Sequence, residues 1–178
     1  MKRLLSTLTT MIFALALSAQ TGIIPKPQKE TIREGYFRLD KSCVIYCNEK
    51  GNFNTQYIQE RLTKATGFAF SRIKKQPADN FIKLEVNPSL NIPEEGYLLN
   101  VDEKGITIEA KNSSGIFYGI QSLLQLLPPT VYSGRVTGRE EWSVPFVNIE
   151  DYPRFSYRGM MLDVSRTFFD YDVIIKYI

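Results

Sequence analysis

Residues Glu95 to Pro129 leave a chain few ways to fold. Tyr97, Leu99 and Val101 alternate with Leu98 and Asn100; Ile106, Ile108 and Ala110 alternate with Thr107 and Glu109. Such alternation is the signature of strands with one buried face. Asp102-Glu103-Lys104-Gly105 lies between the two runs as a short polar loop, with glycine where a positive φ is expected. Ile116, Phe117, Ile120, Leu123, Leu124 and Leu127 then fall on one face of a helical repeat. Asn112-Ser113-Ser114 offers side-chain oxygens to the free N–H groups at the start of that helix. The same triplet matches a glycosylation acceptor pattern, but capping explains it better. Pro128-Pro129 ends the helix, because proline has no N–H and disfavours helix in the residue before it. A hairpin and a helix that are each apolar on one side must bury those sides against each other.

The rest of the chain extends this pattern. Two prolines make Ile23–Gln28 an extended entry segment. Tyr36–Leu39 and Cys43–Cys47 read as short strands, and Phe81–Val86 alternates as another. Asn52 to Gly67 reads as a helix with Phe53, Tyr57, Ile58, Leu62 and Ala65 inward and Gly67 as its stop. The order β-β-α-β-β-β-α predicts an α+β domain with helices packed on one sheet face. Thr130–Trp142, with its glycines and the run Arg139-Glu140-Glu141, reads as an exposed connection. Val144–Ile149 reads as leading out of the domain.

Charge and cysteine use narrow the function classes. The net charge is +3 and the basic residues are scattered, so no nucleic-acid footprint is expected. Hydrophobic residues make up 43% of the chain, enough for a packed core. The chain has no histidine, which excludes Ser-His-Asp and Cys-His catalysis within it. Cys43 and Cys47 are too far apart along an extended strand to bridge, and read as small buried hydrophobes rather than metal ligands. No glycine-rich phosphate loop is present. No metal or cofactor is expected.

Residues 1–19 follow a different logic. Lys2 and Arg3 precede a mostly apolar run from Leu4 to Leu17, and small residues follow at Ala16, Ser18 and Ala19. This is the pattern of a secretory signal peptide, so the protein is expected to be exported to a periplasmic or extracellular location. The run is too short and interrupted to span a membrane, so no stable insertion is expected after cleavage. Loss of Lys2 and Arg3 leaves a nearly neutral protein of net charge +1.

Residues 151–178 begin something new. Met160, Met161, Leu162 and Val164 form a near-continuous apolar run, which suits a strand buried on both faces. Asp163 within it reads as buried and in need of a partner. Asp170 is placed to cap a helix holding Val173, Ile174, Tyr177 and Ile178 on its apolar side. A β-α unit cut short is not a complete architecture, so the chain reads as the N-terminal part of a longer protein.

Three blocks in order carry a family resemblance: Ile24-Pro25-Lys26-Pro27, the Glu95–Pro129 stretch with Gly115-Ile116-Phe117-Tyr118-Gly119-Ile120-Gln121, and Tyr157–Arg166. Together they resemble a secreted β-N-acetylhexosaminidase of glycoside hydrolase family 20. The resemblance implies an α+β accessory domain over residues 20–150. It also implies that residues 151–178 start a (β/α)8 TIM barrel, here truncated, that carries the active site. Arg166 then stands at the C-terminal end of the first barrel strand, where such barrels place their chemistry. The family uses the matching arginine to hold hydroxyls of the terminal sugar, and a guanidinium fork suits that task. Pattern alone also allows a plain salt bridge at the rim, with Asp163. Arg158 falls at the strand's start, the end associated with stability, and with Asp163 reads as structural or supporting. Thr167 departs from the family, which has histidine there; threonine offers only a hydroxyl.

The resemblance further implies cleavage of terminal β-linked N-acetylglucosamine or N-acetylgalactosamine from glycans. In that chemistry the sugar's own acetamido oxygen attacks the anomeric carbon, one of the exceptions to the scheme of two protein carboxylates. The family's Asp-Glu pair belongs further along the barrel. The adjacent acidic pairs present, Glu94-Glu95, Asp102-Glu103, Glu140-Glu141 and Glu150-Asp151, read as solvated loops and cannot replace it. The chain alone is therefore expected to be inactive. Two rival readings stand beside this one: a non-catalytic glycan-binding or scaffolding module, and a different barrel glycosidase with a similar accessory domain.

Overall fold

The computed structural model describes residues 21–48, 53–136 and 141–177. The expected signal peptide, the Arg139-Glu140 part of the charge run and Ile178 lie outside the described residues. Seven strands form one mixed sheet: β1 (Lys29–Arg38), β2 (Val44–Cys47), β3 (Ser71–Ile73), β4 (Phe81–Val86), β5 (Tyr97–Val101), β6 (Gly105–Ala110) and β7 (Ser143–Asp151). Their spatial order is β1-β7-β5-β6-β4-β2-β3. The β1, β7, β5 and β6 ladders are antiparallel, and those joining β6, β4, β2 and β3 are parallel. Helix α1 (Phe53–Thr66) makes the crossover a parallel neighbour requires, between β2 and β3. Helix α2 (Ser113–Leu126) follows the hairpin.

Register divides the sheet into two chemically distinct faces. Ile45, Ile82, Ile106, Val101 and Val147 are successive cross-strand partners, and all are buried. One position along, Tyr46, Lys83, Thr107, Asn100 and Asn148 form the neighbouring row, and none is buried. The apolar side of both helices joins the first face through Ile58, Leu62, Ile116, Ile120, Leu123 and Leu124 in a single core. The expected architecture of helices on one sheet face is thus present.

The hairpin and its helix match the periodicity, and Asn112 caps α2 by accepting from the Gly115 N–H at 3.1 Å. Gly105 needs glycine for a different reason than expected. Its φ is not positive; a Cβ there would sit 2.5 Å from the Phe81 carbonyl oxygen. Gly67 does end α1 in the left-handed region, at φ 77°. Phe53 is exposed and Tyr57 and Phe117 only half-buried, so the apolar face of each helix is narrower than its sequence suggests.

Other expectations are corrected. β1 begins at Lys29 rather than Tyr36, because an edge strand tolerates the charged run Lys29–Glu34 on its open side. It carries a register shift between Ile32 and Tyr36, where Gly35 takes φ 111°. The short strand β3 was not expected. β7 does not lead out of the domain; it inserts between β1 and β5. The expected connection from Thr130 to Trp142 opens with a 3-10 turn at Pro129–Tyr132 and anchors the core through buried Val131 and Trp142.

The apolar run of Met160–Val164 forms no strand. Met160 and Met161 are 71% and 85% exposed, and Asp163 is half-buried rather than buried. A single strand without sheet neighbours has nothing to satisfy its backbone groups or cover its side chains. A short helix α3 (Tyr171–Tyr177) follows with no buried residue, and the Val173 and Ile174 N–H groups donate to the Asp170 backbone carbonyl.

Candidate functional site

The chain leaves β7 through a segment tied down at several points. Asp151 Oδ1 accepts from the Gln28 N–H at 3.1 Å, and Arg154 Nη2 donates to the Lys26 carbonyl at 3.3 Å. Arg158 then spreads its guanidinium over three partners. Nη1 donates to its own segment at the Phe155 carbonyl, 2.8 Å away. Nη2 donates to Glu95 Oε2 at 2.6 Å and to Tyr118 Oη at 3.2 Å. Its carbon also stands 5.7 Å from the centroid of the Tyr118 ring, a cation–π arrangement.

This path roofs a cavity of about 450 Å³ between the exit segment and the domain, walled by Pro25, Tyr97, Tyr118, Tyr152 and Phe155. At its base the Tyr97 hydroxyl shares a 2.6 Å hydrogen bond with Ser122 and donates to Asp151 Oδ2 at 3.3 Å. Burial pushes the Tyr97 phenol well above its ordinary value, against the lowering influence of Ser122. Glu95 and Asp151 both line the cavity and are engaged, so neither is the freely solvated loop carboxylate the sequence suggests.

Asp163 and Arg166 come together in a tight turn. Asp163 Oδ1 accepts from the N–H of Ser165 at 3.0 Å, its hydroxyl at 3.0 Å, and the Arg166 N–H at 3.1 Å. Arg166 Nε donates to Oδ2 at 2.6 Å. These bonds, the Arg166 N–H first among them, hold the Asp163 carboxyl down at about 2. The turn uses one edge of a guanidinium whose side chain is 86% exposed. Thr167 follows, also exposed. Arg158 and Arg166 therefore part company: the first is bound back to the sheet domain, the second stands in solvent on a turn of its own.

The other acidic pairs are occupied separately. Glu94 accepts from Asn112 Nδ2 at 2.8 Å, Asp102 closes the hairpin by accepting from the Lys104 N–H at 2.9 Å, and Glu150 pairs with Lys29 at 3.0 Å. Among the described residues no cluster of three or more His, Cys, Asp or Glu is placed to hold a metal ion, and no helix is long and apolar enough to cross a membrane. Sequence reasoning missed Glu95 and Tyr118 as partners of Arg158. The only available signal was Tyr118 on the flank of α2, an aromatic outside the core stripe.

Comparison with known proteins places these features. Residues 20–152 match the family model described as glycosyl hydrolase family 20, domain 2. The chain is 36% identical over 159 residues to a β-hexosaminidase of Porphyromonas gingivalis, covering 88% of this chain and 20% of the relative. A solved N-acetyl-β-hexosaminidase of Streptomyces plicatus, in complex with Thio-NAglucal, superposes with a TM-score of 0.77 at 31% identity, over 87% of this chain and 31% of that one. A solved exo-β-N-acetylglucosaminidase of Vibrio harveyi, in complex with N-acetylglucosamine, gives a TM-score of 0.71 at 28% identity, over 90% of this chain and 24% of that one. The chain thus spans a fifth to a third of the length of these relatives.

Proposed function

Because the chain belongs to glycosyl hydrolase family 20, we propose that it is the N-terminal part of an exported exo-β-N-acetylhexosaminidase. Its substrate class is a glycan ending in β-linked N-acetylglucosamine or N-acetylgalactosamine. The observation that carries this reading is the family match over residues 20–152, beyond which the turn from Asp163 presents Arg166. In this reading residues 1–19 are removed on export, and the run from Met160 becomes the first barrel strand once further strands flank it.

Arg166 is then the sugar-holding residue of this chain. Asp163 keeps Nε engaged and fixes the plane of the guanidinium, so the Nη groups approach two hydroxyls of the terminal sugar with little rotamer freedom left to lose. Thr167 contributes a hydroxyl where the family has an imidazole, so no titration near neutral pH originates at that position. The Asp-Glu pair that orients the acetamido group and protonates the leaving oxygen belongs to the downstream barrel.

The test compares two proteins on a chromogenic N-acetylglucosaminide. The chain as given releases no chromophore, while the same chain extended by its downstream coding sequence does. In the extended protein Arg166→Ala raises KM and lowers kcat/KM by roughly a hundredfold or more, the scale of losing a charge-assisted bidentate contact. Hydrolysis by the 178-residue chain alone, or an extended protein indifferent to Arg166→Ala, overturns the reading.

A further inference from the structure

We propose that Arg158 is a positioning residue. Held by Glu95 and Tyr118, it latches the departing chain to the corner where β5 meets α2, and so sets where Arg166, eight residues on, stands relative to the sheet domain. The consequence for catalysis rests on the proposed function; the latch itself does not.

Its two partners come from elements far apart in sequence and already fixed by the core. Tyr118 lies on α2, whose neighbours Gly115, Ile116, Gly119 and Ile120 are buried. Glu95 lies in a braced turn: the Gly96 N–H donates to the Pro93 carbonyl at 3.0 Å, and the Gly96 carbonyl abuts Gly115 of α2. Among the described residues, Glu95 and Asn80 are the non-glycine positions with positive φ, at 61° and 48°. Asparagine visits that region readily; glutamate does so at a cost in backbone strain. Glycine would fit the Glu95 backbone with less strain but has no carboxylate, and the partner of that carboxylate is Arg158.

Arg158 also makes the last hydrogen bonds, among the described residues, from the exit segment back to the sheet domain. The bonds beyond it are local, within the Asp163–Arg166 turn. The Nη1 bond to the Phe155 carbonyl closes the segment on itself, so one planar fork joins the segment to two rigid elements.

The decisive variant is Glu95→Gly, because it removes the latch while relieving strain. Thermal stability is expected to be unchanged or higher. Tryptic cleavage after Arg154 should nevertheless be faster in the chain described here, because the segment is no longer tied to the sheet domain at Arg158. In the extended protein kcat/KM should fall about tenfold to a hundredfold, the cost of displacing a binding group by about an ångström. Arg158→Glu and Glu95→Arg should each act likewise, and the double reversal should recover most of the loss. Arg158→Lys, which keeps the charge but not the fork, should recover only part. The proposal is overturned if Glu95→Gly and Arg158→Ala leave tryptic cleavage after Arg154 and kcat/KM at the parent values, or if activity falls in every variant only as far as thermal stability does. An extended parent protein without hydrolase activity defeats the proposed function instead, and the latch is then decided by the rate of tryptic cleavage after Arg154.

Discussion

At the scale of single residues, buried polar atoms give the sharpest expectations. Burial, with Asp40 nearby, pushes the Cys43 thiol from its ordinary 9.0 up to about 12, and burial raises the Tyr97 phenol as well. Both groups ionise more easily in the unfolded chain. Their contribution is therefore whole below pH 9.0 and is withdrawn as the pH rises towards the folded values. The urea midpoint should fall as the pH rises above 9.0, and Cys43→Ala should delay the onset of that fall to about pH 10.0, where Tyr97 begins to ionise in the unfolded chain. Thiol alkylation at mildly alkaline pH should label half-buried Cys47 before buried Cys43. Tyr97→Phe should cost about 1–2 kcal/mol in denaturant unfolding, since Ser122 and Asp151 lose a buried partner. The double variant with Ser122→Ala should cost less than the two singles summed. Some of this chemistry was legible in the sequence. The Asn112 cap was, because capping residues sit beside what they cap. The Glu95–Arg158 pair was not: its members are 63 positions apart, and no local pattern joins them.

At the scale of elements, legibility followed the cleanness of the period. β5 and β6 each have one wholly buried side, β4 and α2 a largely buried one, and their sequences say so. β1 hides behind a charged run because one of its edges has no strand to pair with. β7 was visible as an apolar run, but alternation reports a buried face, never which strands lie beside it. The contact between α2 and the sheet depends on glycine in a way periodicity also conceals. A Cβ at Gly119 would sit 2.5 Å from Ile108 Cγ2, and one at Gly115 would press on the Gly96 carbonyl and lie 2.7 Å from Ala110 Cβ. Alanine is the better helix former, yet at Gly115 its methyl meets backbone that cannot swing aside. Gly115→Ala should therefore lose more to overpacking, about 1–3 kcal/mol, than it gains in helix propensity, about 1 kcal/mol. A stabilised protein in thermal or urea unfolding would refute that sign.

At the scale of the whole molecule, the core ends with β7, and among the described residues the hydrogen bonds of the chain beyond Arg158 are local, in the Asp163–Arg166 turn and in α3. Amides from Gly159 to Val164 should exchange at nearly unprotected rates, while those of β5 and β6 should be protected to the limit of global unfolding. Strong protection throughout Gly159–Val164 in this chain would mean that the segment pairs with something here. The sequence over-read this region for a physical reason: an apolar run records the surroundings a segment is suited to, and Met160 and Met161 lack those surroundings in this chain. The placing of β7 also bears on how the protein is made. β1 begins at Lys29 and its neighbour begins only at Ser143. At translation speeds of about 5–20 residues per second, the first strand leaves the ribosome on the order of ten seconds before its hydrogen-bonding mate is synthesised. Once β5 (Tyr97–Val101) has been made and until β7 follows, the nascent chain carries an open seam beside β5, into which a strand from a neighbouring polypeptide could slot. Nascent chains stalled short of Asp151 should be cut readily by protease, and those stalled well past it should resist.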